Sequence, residues 1–519
     1  MMSFIRLLDK NFINIRRLES LIGVTGESTG TVVLAGSVGA NPDMLMQTIV
    51  GLGFKQEQYK VFQLTCDSAL PICFNAKQYH YTDFQAQKKL ASHGLGLSCC
   101  SCTLKSKIYQ ASAKFNRINY SELMPADDDI ERKVKNIDIS SALIDSEYRK
   151  AFDYKGVHIL EHTYSAVVRF YASNQLKNEP VVLQLFKAYL KASIITTDVI
   201  SNTLKKLHRI DAVVCDHGIY VPQGIITEFC KLNSIRIITF NTGYRKNSFL
   251  FAEGDSYHFA IPTDFKFLTR YYTDQQRSVA YKYVLSRSVG SSDWVYFQER
   301  NAGTNIKLDP SATHVVLFPN VLWDADIHFK AALFENAADW INETLEYLTQ
   351  QTNTTVHVRI HPGELKGFVK SRIKVMDIIL PVFKTHPRVK IYDSDNDINS
   401  YALARACDAS VVQGSKIGID LAALGHRVVV AGDCWTRDKK ITHDPKTKDE
   451  YFTALSNLEK VYTDQKRAQD FAFYLYFERM KVLNSISRRK GDPPFKFDSN
   501  VFANSEEERN TLKSIVQGV

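Results

Sequence analysis

Residues 409–431 read ASVVQGSKIGIDLAALGHRVVVA. A short run rich in β-branched side chains, Ala409 to Val412, leads into Gly414 and Ser415; a helix-length segment then ends at Gly425, and a second apolar run follows from Arg427 to Ala431. Strand, turn, helix and strand in so short a span is the repeating unit of a parallel sheet, because parallel neighbours need a crossover and a helix is the compact one. Gly414 permits a tight turn and Ser415 is a natural helix N-cap. The N–H groups of the helix's first turn then form an anion site with Lys416 beside them. Asp420, four residues after Lys416, shares its helix face, where a carboxylate either takes the two hydroxyls of a ribose or simply pairs with Lys416. No Walker or GxGxxG pattern accompanies this loop.

The same alternation extends both ways. His314 to Phe318, Thr355 to Ile360 and Val389 to Tyr392 read as further strands of one sheet. Thr31 to Ala35, Lys60 to Leu64, Asp211 to Cys215 and Arg236 to Phe240 read as a second. A long insert, helical from about residue 140 to 208, interrupts the earlier sheet. The expected fold class is therefore α/β, two doubly wound domains facing each other across a cleft at the carboxyl ends of their strands. Residues 288–311, rich in Gly and Ser and containing Pro310, read as the linker. The predicted divisions are 1–23, an amphipathic helix; 24–300, a first domain with the helical insert; 301–465, a second domain; and 466–519, a crossover helix over Ala468 to Leu483 and a loosely held tail.

Composition bounds the partners. The 519 residues, 45% hydrophobic and 23% charged, exclude disordered, collagen-like and coiled-coil chains. Sixty-five Lys and Arg against 56 Asp and Glu give +9, which suits a phosphate- or carboxylate-bearing partner without compelling nucleic acid. The densest basic groups, Arg488-Arg489-Lys490 and Arg437, Lys439, Lys440, have few aromatics among them, so no nucleic-acid platform is expected. No run of ~18 apolar residues suggests a membrane span. No signal peptide is expected either: Ile5, Leu8, Phe12, Ile15, Leu18 and Ile22 repeat at helical spacing among Arg6, Lys10, Arg16 and Arg17. Such a basic amphipathic helix either packs on its own domain or a partner subunit, or lies on an anionic membrane. The nine cysteines point to free thiols in a reducing compartment. Cys99 and Cys102 have CxxC spacing, but no second pair completes a zinc site, so ordinary thiols are expected.

Three loops after strands carry candidate chemistry. In Arg359-Ile360-His361-Pro362-Gly363-Glu364, Pro362 pushes His361 towards an extended conformation and projects its ring at a strand end. There His361 either donates to a phosphate or sugar hydroxyl, with Arg359 or Glu364 setting its charge, or satisfies local backbone. The second is the loop through Gly414, Ser415, Lys416 and Asp420. The third, 431–442, brings Lys439 and Lys440 beside Trp435, for stacking or phosphate contact or as a solvated charged loop. In the first domain Asp216 and His217 end a strand. They are the first candidates for a catalytic base, with Glu253 or Asp255 next; otherwise Asp216 caps a helix. Gly36 and Ser37, in a glycine loop, either approach an acceptor or complete a strand-to-helix turn. Of two DxD matches, Asp324-Ala325-Asp326 reads as a helix cap, and Asp393-Ser394-Asp395, after a strand, is the better metal candidate; no metal is expected.

His361-Pro362, Gly414-Ser415 through Asp420 to Gly425, Val428 to Gly432 and a basic loop ending at Ile441-Thr442 together resemble the capsule polysaccharide synthesis family of glycosyltransferases. That family includes Kdo transferases with two Rossmann-like domains in the GT-B arrangement. The segments 318–325 and 216–224, with Phe334, Glu335, Asn336 and Trp340, are similar to bacterial surface-carbohydrate synthesis proteins. The resemblance spans roughly residues 210 to 460. It implies a cytoplasmic enzyme, with peripheral attachment to the inner membrane face left open. Such an enzyme moves a sugar from a nucleotide-sugar donor, held by the C-terminal domain, to a glycan or lipid-linked acceptor held by the N-terminal one. The nucleotide-sugar is a substrate, and no cofactor is implied. Polysaccharide-assembly partners are a further implied class. By the resemblance, His361 and Ser415 contact donor phosphate and Asp420 stands at the ribose. Asp in place of the more usual Glu, and Lys416 after Ser415, depart from the family pattern. A polyol-phosphate transferase of the teichoic-acid type, a UDP-sugar 2-epimerase and a non-catalytic glycan- or nucleotide-binding subunit of an export complex are the alternatives on the same fold.

Overall fold

The computed structural model describes residues 10–22, 27–35, 42–73, 97–289, 293, 306–323, 333–366, 370–488 and 495–518. Its strands, in chain order, are β1 (Gly30–Leu34), β2 (Tyr59–Thr65), β3 (Asn116–Asn119), β4 (Ala212–Asp216), β5 (Arg236–Thr242) and β6 (Ser248–Glu253). There follow β7 (Thr313–Phe318), β8 (Thr354–Arg359), β9 (Val389–Tyr392), β10 (Ala409–Val412) and β11 (Val428–Val430), then β12 (Met480–Val482), β13 (Ile486–Arg488) and β14 (Phe495–Phe497). The chain forms two compact units. Met1–Tyr171, Leu176–Ala260 and Met480–Val519 make the first, and Ala172–Gln175 with Ile261–Arg479 the second.

The first unit is built on a sheet of order β12-β6-β5-β4-β1-β2-β3, and the second on β11-β10-β7-β8-β9. Counted from its own first strand, the second sheet runs 3-2-1-4-5 and the first opens with the same order before β6 and β12 extend it, the doubly wound order whose direction of winding reverses once. That reversal lies between β1 and β4 in the first unit and between β7 and β10 in the second. The second sheet is parallel throughout. In the first, β6 and β12 run antiparallel at one edge. Central strands such as β4 and β10 are buried along their whole length. This follows from helices covering both faces, and it is why such strands read as continuous apolar runs without alternation. The α/β class expected from the sequence is the one observed.

Several segments differ from the expectation for physical reasons. β3, Asn-Arg-Ile-Asn, buries only Ile118 and so lacks a strand's usual signature. The aromatic run expected as one helix to Leu483 is an α-helix over Gln465–Phe473 and a π-helical turn over Tyr474–Arg479. The chain then enters β12, paired with β6 of the first unit. The second unit begins at Ile261 and not in the glycine-rich linker. The helix Asp274–Ser288 is tied to the helix Gln465–Phe473, with Arg277 Nε donating to Asp470 at 2.7 Å. The C-terminal segment is packed: Leu512, Ile515 and Val516 are buried. Gly53 lies so close that a Cβ there would meet Leu512 Cγ at 2.8 Å.

The described part of the N-terminal helix, Lys10–Leu21, packs on its own unit. Phe12 meets Tyr109 edge-on with ring centroids 4.6 Å apart, and Ile15 is fully buried. Asn11 Nδ2 donates to Phe495 O at 2.9 Å while the Phe497 N–H donates to Asn11 Oδ1 at 2.8 Å. Ile5 and Leu8 lie outside the described residues. Among the described residues no helix is long and apolar enough to cross a membrane.

Because the last helix closes the first unit, Leu512→Ala is expected to cost about 2–5 kcal/mol. Urea unfolding followed through exchange of the β1 and β2 amides measures it. A change under about 0.5 kcal/mol would make that helix a loose appendage.

Candidate active site

Ligands bind doubly wound sheets outside the carboxyl ends of their strands, where the winding reverses. In the second unit that place is between β7 and β10, flanked by the loops after those strands; the loop after β8 lies one strand further out and meets the chain after β7 where a Cβ at Gly363 would be 3.4 Å from Val321. His361 follows β8 and is half-buried. The Gly363 N–H donates to its Nδ1 at 2.9 Å, so a neutral ring carries its proton on Nε2. A Cβ at residue 363 would sit 2.7 Å from Nδ1, and glycine is therefore required. Burial, with Arg359 and Lys416 nearby, holds the imidazole at about 4, keeping it a neutral donor at physiological pH.

The other two candidates of this loop face inward. Arg359 is 2% exposed and donates to the carbonyls of Ile360, Asp393 and Asn396 at 3.1, 2.6 and 3.1 Å, bracing the loop after β9. Glu364 is fully buried and accepts from the Val375 N–H at 2.9 Å; burial raises it to about 7. Both hold the loop's shape, which corrects their expected place at a ligand.

After β10, the chain turns through half-buried Gly414 and Ser415. The Gly418 N–H donates to Ser415 O at 3.2 Å as the helix Ile417–Ala423 begins. Asp420 departs from the expected ribose position, because its carboxylate is completely buried. It accepts from Tyr476 Oη at 2.6 Å, Tyr401 Oη at 2.8 Å, Arg287 Nε at 3.1 Å and Lys416 Nζ at 3.4 Å. Although burial works against it, Lys416 and Arg287 hold this carboxyl below its usual range. Arg287 also pairs with Asp293, whose other oxygen accepts from Tyr283 Oη at 2.7 Å. Lys416 stands at the open end of this network with its side chain 17% exposed. Burial and the Arg287 guanidinium lower its amine to about 7. The pairing of Lys416 with Asp420 is the blander alternative of the sequence analysis, now joined by three further donors.

After β11, Gly432 passes so close to Gln413 that a Cβ would lie 2.9 Å from the Gln413 carbonyl oxygen, which brings this loop against the preceding one. Its two lysines go elsewhere. Lys439 is fully buried, donates to Pro262 O at 2.5 Å and lies 4.5 Å from the Phe265 ring centroid; burial lowers it to about 8. Lys440 is exposed and lines a separate depression with Asp438, Thr442, Asp444, Tyr462 and Arg467. Of the candidate cations, Arg359 and Lys416 lie near His361, and Arg359 is committed to backbone carbonyls. Asp393 spends Oδ1 on the Ser394 N–H at 2.6 Å, while Asp324 and Asp326 lie outside the described residues. Among the described residues, no group of three or more His, Cys, Asp or Glu side chains could hold a metal ion.

In the first unit, Asp216 ends β4, is 1% exposed and accepts from Gln223 Nε2 at 3.0 Å. His217 takes a left-handed φ of 58°, a strained backbone for a residue with a Cβ. Its ring stacks on His258 with centroids 5.5 Å apart and lies 5.0 Å from Tyr220. Glu253 does not join them. In register it faces Ile238, and its carboxylate takes Arg236 at 2.9 and 3.0 Å, towards the start of β5. Asp255 pairs with Lys231. Gly36 and Ser37 lie outside the described residues. Arg287, Tyr401, Tyr476 and His258 were not among the sequence candidates. Tyr476 belongs to a noted aromatic run, whereas Arg287, 133 positions from Asp420, gives no local signal.

No protein-family model matches the chain, and no curated protein sequence matches it. Among solved structures it is similar to the KpsC beta Kdo 2,4 transferase of Thermosulfurimonas dismutans, at 14% identity and TM-score 0.37, over 59% of this chain and 87% of that one. It is also similar to a Neisseria meningitidis UDP-GlcNAc 2-epimerase bound to UDP-GlcNAc, at 9% identity and TM-score 0.26, over 86% and 98%. An S. aureus MnaA–UDP co-structure matches at 9% identity and TM-score 0.24, over 86% and 91%. At identities and TM-scores this low the likeness carries no inference about activity.

Asp420→Ala leaves Arg287 buried beside a lost partner and is expected to destabilise the second unit by about 3–5 kcal/mol, measurable by urea unfolding; an unchanged midpoint would remove Asp420 from its central place. The His361 ring should titrate near pH 4 by NMR and stay neutral from pH 6 upward, whereas a midpoint near 6.5 would show a solvated side chain.

Proposed function

We propose that the chain is a glycosyltransferase whose second unit binds a nucleotide-sugar donor at the reversal point beside β7 and β10. The phosphate is held by the Nε2–H of His361, by the first-turn amides after Ser415 and by Lys416. In transfer, the bond between the anomeric carbon and the donor phosphate breaks, and a new bond forms to an acceptor oxygen. Charge therefore accumulates on the leaving phosphate, where the helix start and Lys416 stabilise it. The acceptor hydroxyl must lose its proton to a general base. A surface polysaccharide or its lipid-linked precursor is the proposed acceptor.

The observation that carries this reading is the shared environment of His361 and Lys416. Two loops 55 positions apart (416 − 361) place a neutral imidazole and a partly exposed amine close enough for Lys416 to depress the ring's basicity. Arg359, in the His361 loop, and Lys439, in the loop after β11, are spent internally.

Titration with UDP, CMP, GDP and CDP tests the assignment. One of them should raise the melting temperature, since a ligand of the native state stabilises it. His361→Ala and Lys416→Met should each weaken that nucleotide at least tenfold with an unchanged circular dichroism spectrum. Full affinity in both variants would refute the donor site, and turnover of a UDP-sugar without acceptor would replace transfer by epimerisation.

A further inference from the structure

We propose that the depression at the outer edge of the second sheet, lined by Asp438, Lys440, Thr442, Asp444, Tyr462 and Arg467, binds a sugar that carries a carboxylate or a phosphate. None of these residues belongs to the proposed donor site, and the two sites stand or fall separately. The depression lies beside β11, the edge strand, where His443 adds a short parallel bridge: its N–H donates to Val428 O and the Val430 N–H donates to its O, both at 2.9 Å. Its volume of about 510 Å³ falls within the range of small-molecule sites.

The loop that forms it is braced on its inner side and strained on its outer one. Arg437 donates to the carbonyls of Val430, Gly432 and Pro445 at 3.2, 3.2 and 2.6 Å, and Lys439 to Pro262 O at 2.5 Å. Thr442 Oγ1 donates to Asp444 Oδ1 at 2.7 Å, and the Asp438 N–H to Asp444 Oδ2 at 2.9 Å. Asp438 and Lys440 both take a left-handed φ, 64° and 56°, which is unfavourable for residues with a Cβ. Such strain persists where the surroundings over-determine it, and it collects at binding sites. The outcome is an alternation in which Asp438 and Lys440 are exposed and Lys439 is buried between them.

The charges of the depression divide into spent and available. Asp438 pairs with Lys446, and each oxygen of Asp444 already holds one donor. Lys440 Nζ has no ion-pair or hydrogen-bond partner among the described residues, and Arg467 reaches Asp464 only at 4.0 Å and Lys440 O at 3.5 Å. Two cations are thus open to an anionic group, and a guanidinium beside an ammonium suits a carboxylate or phosphate. A bare anion would also meet Asp438 and Asp444 and be repelled. A hydroxylated one gains from the same carboxylates, because each Asp444 oxygen keeps a second lone pair that accepts from a hydroxyl. Tyr462, 53% exposed with its Oη donating to Asp464 at 3.0 Å, offers a ring to the apolar face of a pyranose. Cations, carboxylate and ring together select an acidic sugar over a neutral sugar or free phosphate.

NMR titration of the full chain with methyl glucuronide, glucose 6-phosphate, methyl glucoside and inorganic phosphate tests the site. At least one of the two acidic sugars should bind with a Kd of about 1–10 mM, and which of them binds tighter identifies the anionic group preferred. Methyl glucoside and inorganic phosphate should each bind about tenfold more weakly. Lys440→Met and Arg467→Met should each weaken the acidic sugar about tenfold with an unchanged circular dichroism spectrum, and His361→Ala should leave its affinity as it was. Binding of neither acidic sugar, equal binding of methyl glucoside or of phosphate, full affinity in either methionine variant, or loss of binding in His361→Ala overturns the inference. Each of the first three outcomes leaves the donor site untouched, and the last moves the sugar into it.

Discussion

The second unit depends on a single carboxylate that has no access to water. Asp420 is buried to the last atom and collects donors from four directions: Lys416 at the N-cap of its own helix, Tyr401, Arg287 and Tyr476. Burying one charge in a low-dielectric interior is costly unless its partners are all present. The cluster therefore forms as a unit, fixing the helix after β10 against the helix Asp274–Ser288 and the π-helical turn. Sequence distance makes the point: Tyr476 lies 56 positions after Asp420, and Arg287 133 before it. One consequence is local. With the carboxylate held inside, Lys416 is the member left at the surface, beside the start of its helix.

The two sheets share a five-strand order, and in each polar side chains of interest lie at the carboxyl ends of strands at or next to the reversal. In the first unit these are Asp216 and His217, with Gln223, Tyr220 and His258 around them. In the second they are His361 and Lys416. Most other charged groups in the same loops serve architecture. Arg359 ties two strand ends together through three carbonyls, and Lys439 sits between a carbonyl and two aromatic rings. A loop rich in cations is thus not by itself an anion site, because burial and internal acceptors decide which charges remain for a ligand.

Much of the architecture was legible in the sequence. Ala409–Val412 was located to the residue and β1, β2, β4, β5, β7, β8 and β11 to within two, because helices on both faces force continuous apolar runs; the edge strand Val389–Tyr392 was also located to the residue, while the buried β6 was not expected. β3 and β12 were not, since edge strands with one or two buried residues carry little pattern. Turn chemistry at Pro362 and Gly414 picked out the candidate loops, but the helix after β10 has Lys416 at its N-cap in place of the expected Ser415, with no side-chain capping bond. It did not give the direction in which their side chains point. Helical spacing put Lys416 and Asp420 on one face but gave no sign that a helix some 130 positions earlier and a turn some 55 later would cover it. The N-terminal helix packs on its own domain, one of the expected readings, but the C-terminal segment was misjudged as loose: Asn11 and Phe495 are 484 positions apart, and their hydrogen bond leaves no local trace.

The central claim is that the second unit holds a nucleotide by its phosphate at the point where its sheet reverses. A crystal structure of the chain grown with UDP or CMP tests it most directly. The account places phosphate oxygens within hydrogen-bond distance of His361 Nε2, of an amide in the turn at Ser415 and of Lys416 Nζ. A nucleotide bound instead in the depression lined by Lys440 and Arg467, or found only against outward-facing side chains away from β8 and β10, contradicts it.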